Sequence, residues 1–184
     1  AALRIYSLTI KTLRQTDMSD PFALSDQTVL VTGGGGGIGS DISRQLARAG
    51  ATVVVHYHQS AENAERVVDN ILQDGNLALA VQANLSREDE TRALFEKLQK
   101  DGYVLDALVN NAARMDVCDL LDMSLDQWQA MNAANMDSAF LTTRLFAEQL
   151  IATESEATNG AIVNIASIEG LDPAQGHSHY AASK

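Results

Sequence analysis

Tyr180 and Lys184 stand four residues apart, so in a helix they share a face. An ammonium beside a phenol makes the phenolate easier to form. A phenol of lowered pKa is a suitable proton donor to a carbonyl that receives a hydride. Ser167, thirteen residues upstream, carries a hydroxyl that can hold a substrate oxygen and stabilise charge developing there. A serine at a strand end is also an ordinary turn former, so the residue alone leaves both readings open. Asn135 lies within a stretch read as helix, where asparagine is a poor choice on propensity and needs a reason, either a buried role or solvent exposure.

These groups need a scaffold, and residues 28–48 supply its first unit. The apolar run Thr28-Val29-Leu30-Val31 reads as a buried parallel strand. It is followed by Thr32-Gly33-Gly34-Gly35-Gly36-Gly37-Ile38-Gly39 and then a helical segment with Ile38, Ile42, Leu46 and Ala49 expected on its inner face. Strand, glycine turn and helix in this order form the context of a dinucleotide fingerprint. Glycines let backbone N–H groups approach a pyrophosphate closely, and a helix N-terminus adds partial positive charge. A flexible linker is the other use of five glycines, but linkers are rarely wedged between a β-branched strand and an amphipathic helix.

Alternation continues along the chain. Strands are expected at 51–57, 77–82, 105–109 and 161–165, and helices at 61–74, about 87–100, roughly 125–152, and from near His179. In the second helix Ala64, Val67, Val68 and Ile71 point inward. Repeated right-handed βαβ units give a doubly wound parallel sheet, an α/β Rossmann-like fold. The order 3-2-1-4-5 puts a cofactor across the switch point between the first and fourth strands.

Thr32-Gly33-x-x-x-Gly37-Ile38-Gly39, Asn110-Asn111-Ala112-Ala113, Asn135, Ser167 and Tyr180-x-x-x-Lys184 resemble, in order and spacing, the signature of the short-chain dehydrogenase/reductase family. The resemblance runs from about Ser25 to the last residue and departs from the usual pattern at Ala113, where glycine is customary. It implies an NAD(P)(H)-dependent oxidoreductase that interconverts a small-molecule carbonyl and a secondary alcohol. In that scheme Tyr180 supplies the proton and Ser167 positions the oxygen. Lys184 contacts the nicotinamide ribose and depresses the Tyr180 pKa. Asn135 belongs to a proton relay at a local helix distortion. The resemblance also places Gly33, Gly37, Ile38, Gly39, Asn84, Leu85, Asn111 and Ala112 at the cofactor, together with Tyr180 and Lys184.

Family members continue past this point with sixth and seventh strands, so the chain reads as the N-terminal part of such a domain. A dinucleotide-binding fragment without turnover is therefore the alternative. Complete members pair through the long helix and the tyrosine helix, which implies a homodimer or homotetramer for the whole protein.

The choice of cofactor rests on the turn after the second strand. A carboxylate there commonly grips the ribose 2′-hydroxyl of NAD. Here the residues are His56-Tyr57-His58-Gln59-Ser60, with no acid before Glu62. His58, Gln59 and Ser60 can donate to a 2′-phosphate, so NADP(H) is preferred and NAD(H) remains possible, since no Arg or Lys occupies the turn. The turn locally resembles that of pteridine reductases. Asn84, where the family usually has Asp, can accept from an adenine amino group.

The pairs His56/His58 and His177/His179 can each share a face, but spacing supplies no third ligand, so no metal site is expected. His177 and His179 are instead expected at a substrate entrance with Glu169 and Asp172. Met115, Met123, Met131 and Met136 read as core or substrate-loop filling.

A chain of 184 residues with 46% hydrophobic content suits one domain with a substantial core. A net charge of −11 argues against nucleic acid as a partner. No apolar stretch reaches membrane-spanning length. The lone Cys118 excludes an internal disulfide and fits a reducing cytoplasm. Residues 1–17 differ from the rest, holding Arg4, Lys11 and Arg14 against Asp17 alone. They are expected to be an upstream or non-native extension, with the domain occupying 18–184 from Met18, and a targeting segment is the rival reading.

Overall fold

The computed structural model describes residues 22–152 and 160–184. The extension expected at 1–17 lies outside the described residues. Five parallel strands form one sheet: β1 (Thr28–Val31), β2 (Thr52–Tyr57), β3 (Leu77–Gln82), β4 (Ala107–Asn110) and β5 (Ala161–Asn164). Their order is β3-β2-β1-β4-β5, and Val31 pairs with Val55 on one side and Val109 on the other.

The helices are α1 (Gly37–Arg48), α2 (Ala61–Gln73), α3 (Glu88–Lys100), α4 (Leu125–Asn132), α5 (Ser138–Ala152) and α6 (Ser178–Ala182). Successive strand side chains point to opposite faces. Leu30, Val54 and Leu108 therefore pack with Leu94, Leu98 and Phe146 from α3 and α5. Val29, Val31, Val53 and Val55 pack with Ala47, Ala64, Val67 and Ile71 from α1 and α2. A sheet covered on both faces needs strands that are apolar throughout, which is why they were visible as unbroken runs. β5 departs from this: all four residues are exposed, Ile162 and Val163 among them, and it is an edge of the described sheet.

Two expectations need correction. Ile38 does not face inward but is 64% exposed, and the buried residues of α1 are Gly39, Ser43 and Ala47. The helix runs so close to the turn before it that only small residues fit. The Ser43 hydroxyl lies 3.3 Å from the Gly34 carbonyl and donates to it.

The helix expected at roughly 125–152 is divided in two, at the distortion that the resemblance implies near Asn135. Ala133–Asp137 form a π-helical turn between α4 and α5, with Asn135 buried inside it. Single π turns inside helices concentrate at functional sites. Ser138 and Thr142 further loosen the ladder by donating back to the Ala134 and Ser138 carbonyls. The fourth strand is shifted, covering Ala107–Asn110 rather than 105–109. Among the described residues no helix is long and apolar enough to cross a membrane.

Candidate active site

At the carboxyl end of β1 the chain turns through Gly33, whose φ of 62° lies in the left-handed region that an L side chain rarely adopts. Asn111 fastens this turn. Its Nδ2 donates to the carbonyls of Thr32 and Gly33 at 2.9 and 3.2 Å. The Thr32 hydroxyl accepts from the N–H groups of Asn111 and Ala112, each at 2.9 Å, and donates to the Val109 carbonyl at 3.2 Å. One threonine thus joins the ends of β1 and β4 at the switch point.

Gly39 presses against the same turn: a Cβ there would stand 2.3 Å from the Gly33 oxygen and 2.5 Å from Asn111 Nδ2. Gly36 and Gly37 face the other way, with nothing within 4 Å of a Cβ position. Helix α1 has no side-chain cap and no acid in its first turn. Open glycine backbone at an uncapped helix N-terminus suits the pyrophosphate of a dinucleotide, so the residues present fit that group.

Further along, a depression of about 470 Å³ is lined by His58, Gln59, Gln82, Ala83, Asn84 and Glu90. His58, Gln59 and Ser60 are exposed, and the Ser60 hydroxyl makes no cap to α2. Asn84 Oδ1 already accepts from the Ser86 N–H and hydroxyl, at 3.2 and 2.7 Å. An adenine amino group would have to share that oxygen. Leu85 is buried behind it and reaches the neighbouring cleft.

That cleft, about 330 Å³, opens at the carboxyl ends of β1, β4 and β5, where Thr32, Asn110, Ala112, Asn135, Ser183 and Lys184 meet. The Asn135 amide is fully engaged. Its Oδ1 accepts from the Arg114 N–H at 2.7 Å, and its Nδ2 donates to the Arg114 carbonyl at 3.0 Å and to Ser183 Oγ at 2.8 Å. Ser183 in turn donates to the Tyr180 carbonyl at 2.7 Å. Asn135 therefore ties the loop after β4 to the helix that carries Tyr180. Lys184 Nζ donates to the Ile165 carbonyl at 3.0 Å, and burial holds its pKa below the ordinary lysine value.

Tyr180 is buried, and among the described residues no side chain bonds its hydroxyl. Its ring stands edge-on to His177, centroids 6.3 Å apart. Ser167 begins the short 3₁₀ turn Ile168–Gly170, accepting from the Glu169 N–H at 3.3 Å, and this turn packs on α6. Glu169 Oε1 is 3.1 Å from His177 Nδ1, close but without the alignment of a hydrogen bond. The Ala174 N–H, more than His177, keeps the Glu169 carboxyl below its usual range.

His179 is not at an entrance as expected. It is 1% exposed, whereas His177, at the start of the five-residue helix, is half-buried. Asp172 is exposed. Of the methionines, Met131 is buried, whereas Met115 and Met136 are exposed.

Sequence reasoning gave no role to Ser183 or to His56. Ser183 lies three residues after Tyr180, one turn away on the same helix. His56 follows Val54 by two, so strand alternation places it on a buried face. Both its ring nitrogens meet backbone: Gly33 N–H donates to Nδ1 at 3.1 Å, and Nε2 is 3.0 Å from the Ala83 carbonyl. No lone pair is left for a metal. Burial above all, with a smaller contribution from the charge of His58 and against the bond to Ala83, pushes its pKa down to about 4.

The folded pKa lies below the unfolded value of 6.5, so between the two the unfolded chain binds more protons. Stability is then fully present above pH 6.5 and falls as the pH drops toward 4, by up to about 3 kcal/mol from this group. Urea unfolding at pH 7 and pH 4.5 should show this loss, and a His56→Asn chain should show less of it.

A family model described as short chain dehydrogenase matches residues 27–184. A 3-oxoacyl-(acyl-carrier-protein) reductase of Synechocystis sp. is 38% identical over 162 residues, covering 88% of this chain and 64% of that protein. The corresponding Staphylococcus aureus reductase FabG is 34% identical over 158 residues, covering 86% and 63%. The crystal structure of a gluconate 5-dehydrogenase from Burkholderia cenocepacia, in complex with NADP and tartrate, superposes with a TM-score of 0.79 at 29% identity. That match covers 89% of this chain and 62% of the other. The chain thus spans a little under two thirds of the length of these relatives.

Proposed function

Because the chain belongs to the short-chain dehydrogenase family, we propose that it binds NADP(H) in preference to NAD(H) and interconverts a carbonyl and a secondary alcohol. The observation that carries this reading is the linkage of Asn135 through Ser183 to the Tyr180 backbone, beside a cleft that also holds Lys184. When bound, the nicotinamide cofactor supplies or accepts the hydride. Tyr180 holds the proton that the carbonyl oxygen takes up, and among the described residues no side chain bonds its hydroxyl. Ser167 fixes that oxygen from the start of the 3₁₀ turn. Lys184 and Asn135 support the proton path, and Asn135 also sets the position of α6.

Support for NADP(H) comes from the exposed donors His58, Gln59 and Ser60, and from the cofactor named with the Burkholderia structure. Glu90 lines the same depression and weighs the other way, with Arg87 paired to it at 3.1 Å. The relatives are named as a 3-oxoacyl-(acyl-carrier-protein) reductase and a gluconate 5-dehydrogenase, and a carbonyl compound of either kind is the substrate class proposed here. Exposed Trp128 on α4, Met136 in the π turn and Phe140 on α5 suit pairing with a second copy.

Calorimetric titration with NADPH and NADH tests the cofactor, and a panel of 3-oxoacyl thioesters and 5-ketogluconate tests turnover. NADPH is expected to bind at least about tenfold more tightly, the equivalent of 1.4 kcal/mol. Equal or tighter binding of NADH would overturn the preference. Binding without turnover of any carbonyl would favour a cofactor-binding unit that lacks catalysis of its own.

A further inference from the structure

His56 is 2% exposed among valines, a position where an apolar residue would need no hydrogen-bond partner. The ring touches two elements that the proposed function places at the dinucleotide, the glycine turn and the end of β3. Gly33 N–H donates to Nδ1, so Nδ1 carries no proton. The Ala83 carbonyl can only accept, so Nε2 carries it. The tautomer is fixed by these partners. The main chain adds a third link, the Gly34 N–H donating to the His56 carbonyl at 2.9 Å. One residue therefore holds both the first glycines of the phosphate-facing turn and the end of β3, directly before Asn84.

We propose that His56 is a positioning residue for cofactor binding, its neutral imidazole setting the glycine turn at Gly33 and the end of β3 at the separation a dinucleotide requires. This rests on the reading that the site takes NADP(H). Without the ring, the partly buried Gly33 N–H at the end of β1 loses its partner. The turn then rotates to find a partner, which moves the amides that face the pyrophosphate. The imidazole does not touch the cofactor and acts through the backbone on either side of it.

Two substitutions separate the two bonds. In His56→Asn the carboxamide oxygen takes the place of Nδ1 and accepts from Gly33, while the link to Ala83 is lost. In His56→Gln the amide nitrogen reaches the place of Nε2 and donates to Ala83, while Gly33 is left unpaired. Each variant removes one buried bond, so their thermal midpoints should fall by similar amounts.

NADPH affinity, measured by calorimetry, should not fall equally. His56→Asn is expected within about threefold of the unsubstituted chain, and His56→Gln at least about tenfold weaker, the effect of one unsatisfied buried donor. Nitrogen NMR of the histidine rings should show the Nε2-protonated tautomer for His56 in the unsubstituted chain. Equal affinities in the two variants, or losses that follow the midpoints alone, would overturn the positioning role while leaving the cofactor reading intact. An unsubstituted chain that binds neither NADPH nor NADH would overturn the cofactor reading and this role with it.

Discussion

Tyr180→Phe is expected to lower kcat by roughly 10²–10⁴-fold, the range that a positioned general acid supplies, while leaving the dissociation constant for NADPH within about twofold. The separation follows from what the substitution removes. The ring is buried and stands edge-on to His177, and phenylalanine keeps that shape and that contact. The hydroxyl bonds no side chain among the described residues, so its loss leaves no partner unpaired and the fold should be unaffected. What disappears is the proton for the oxygen. Single-turnover and steady-state rates with the carbonyl found in the panel would read this directly. A variant retaining more than about a tenth of the rate would remove Tyr180 from the acid role and shift attention to the nearby Glu169–His177 pair.

The same contrast between a residue's type and its partners explains what was legible in the sequence. Strands β1, β2 and β4 were visible because burial on both faces demands unbroken apolar runs, and β3 shows the same run although it is an edge strand with only Val81 buried. The inward set of α2 was visible because Ala64, Val67, Val68 and Ile71 obey the helical period and have room to pack. The face of α1 was not, since the closest contact selects small residues, and Gly39, Ser43 and Ala47 carry no hydrophobic signal. Periodicity also gave no account of the π turn: the extra residue in one turn changes which side Asn135 faces without altering the composition around it. Family resemblance, not periodicity, supplied that expectation. His56 and His58 looked like a pair because they are two apart, yet one is buried between backbone groups and the other lies in solvent. Alternation alone gives both the same face; what separates them is that β2 ends at Tyr57, which leaves His58 in the turn beyond it.

Gly39→Ala should damage both stability and cofactor binding, and Gly36→Ala should damage binding alone. At Gly39 a methyl group would stand 2.3 Å from the Gly33 carbonyl oxygen and 2.5 Å from Asn111 Nδ2. Neither obstacle is the end of a flexible side chain. The carbonyl belongs to the turn, and the amide is engaged with both Thr32 and Gly33. Either α1 moves away from the sheet or the turn gives up its fastening to β4. Overpacking of this kind costs about 1–3 kcal/mol, visible as a lower urea midpoint. Because the turn is the proposed phosphate cradle, NADPH affinity should fall at least about tenfold along with it.

At Gly36 the backbone is extended, with φ of −126°, and the added methyl meets nothing within 4 Å. The protein itself therefore offers no resistance, and stability should change by less than about 1 kcal/mol. A cofactor lying against that open backbone would meet the methyl at once. A Gly36→Ala chain that is stable and weak in NADPH binding places the pyrophosphate at the uncapped start of α1. One that is stable and binds as before would mean that the pyrophosphate does not lie against Gly36, and the proposed cradle at the start of α1 would be overturned.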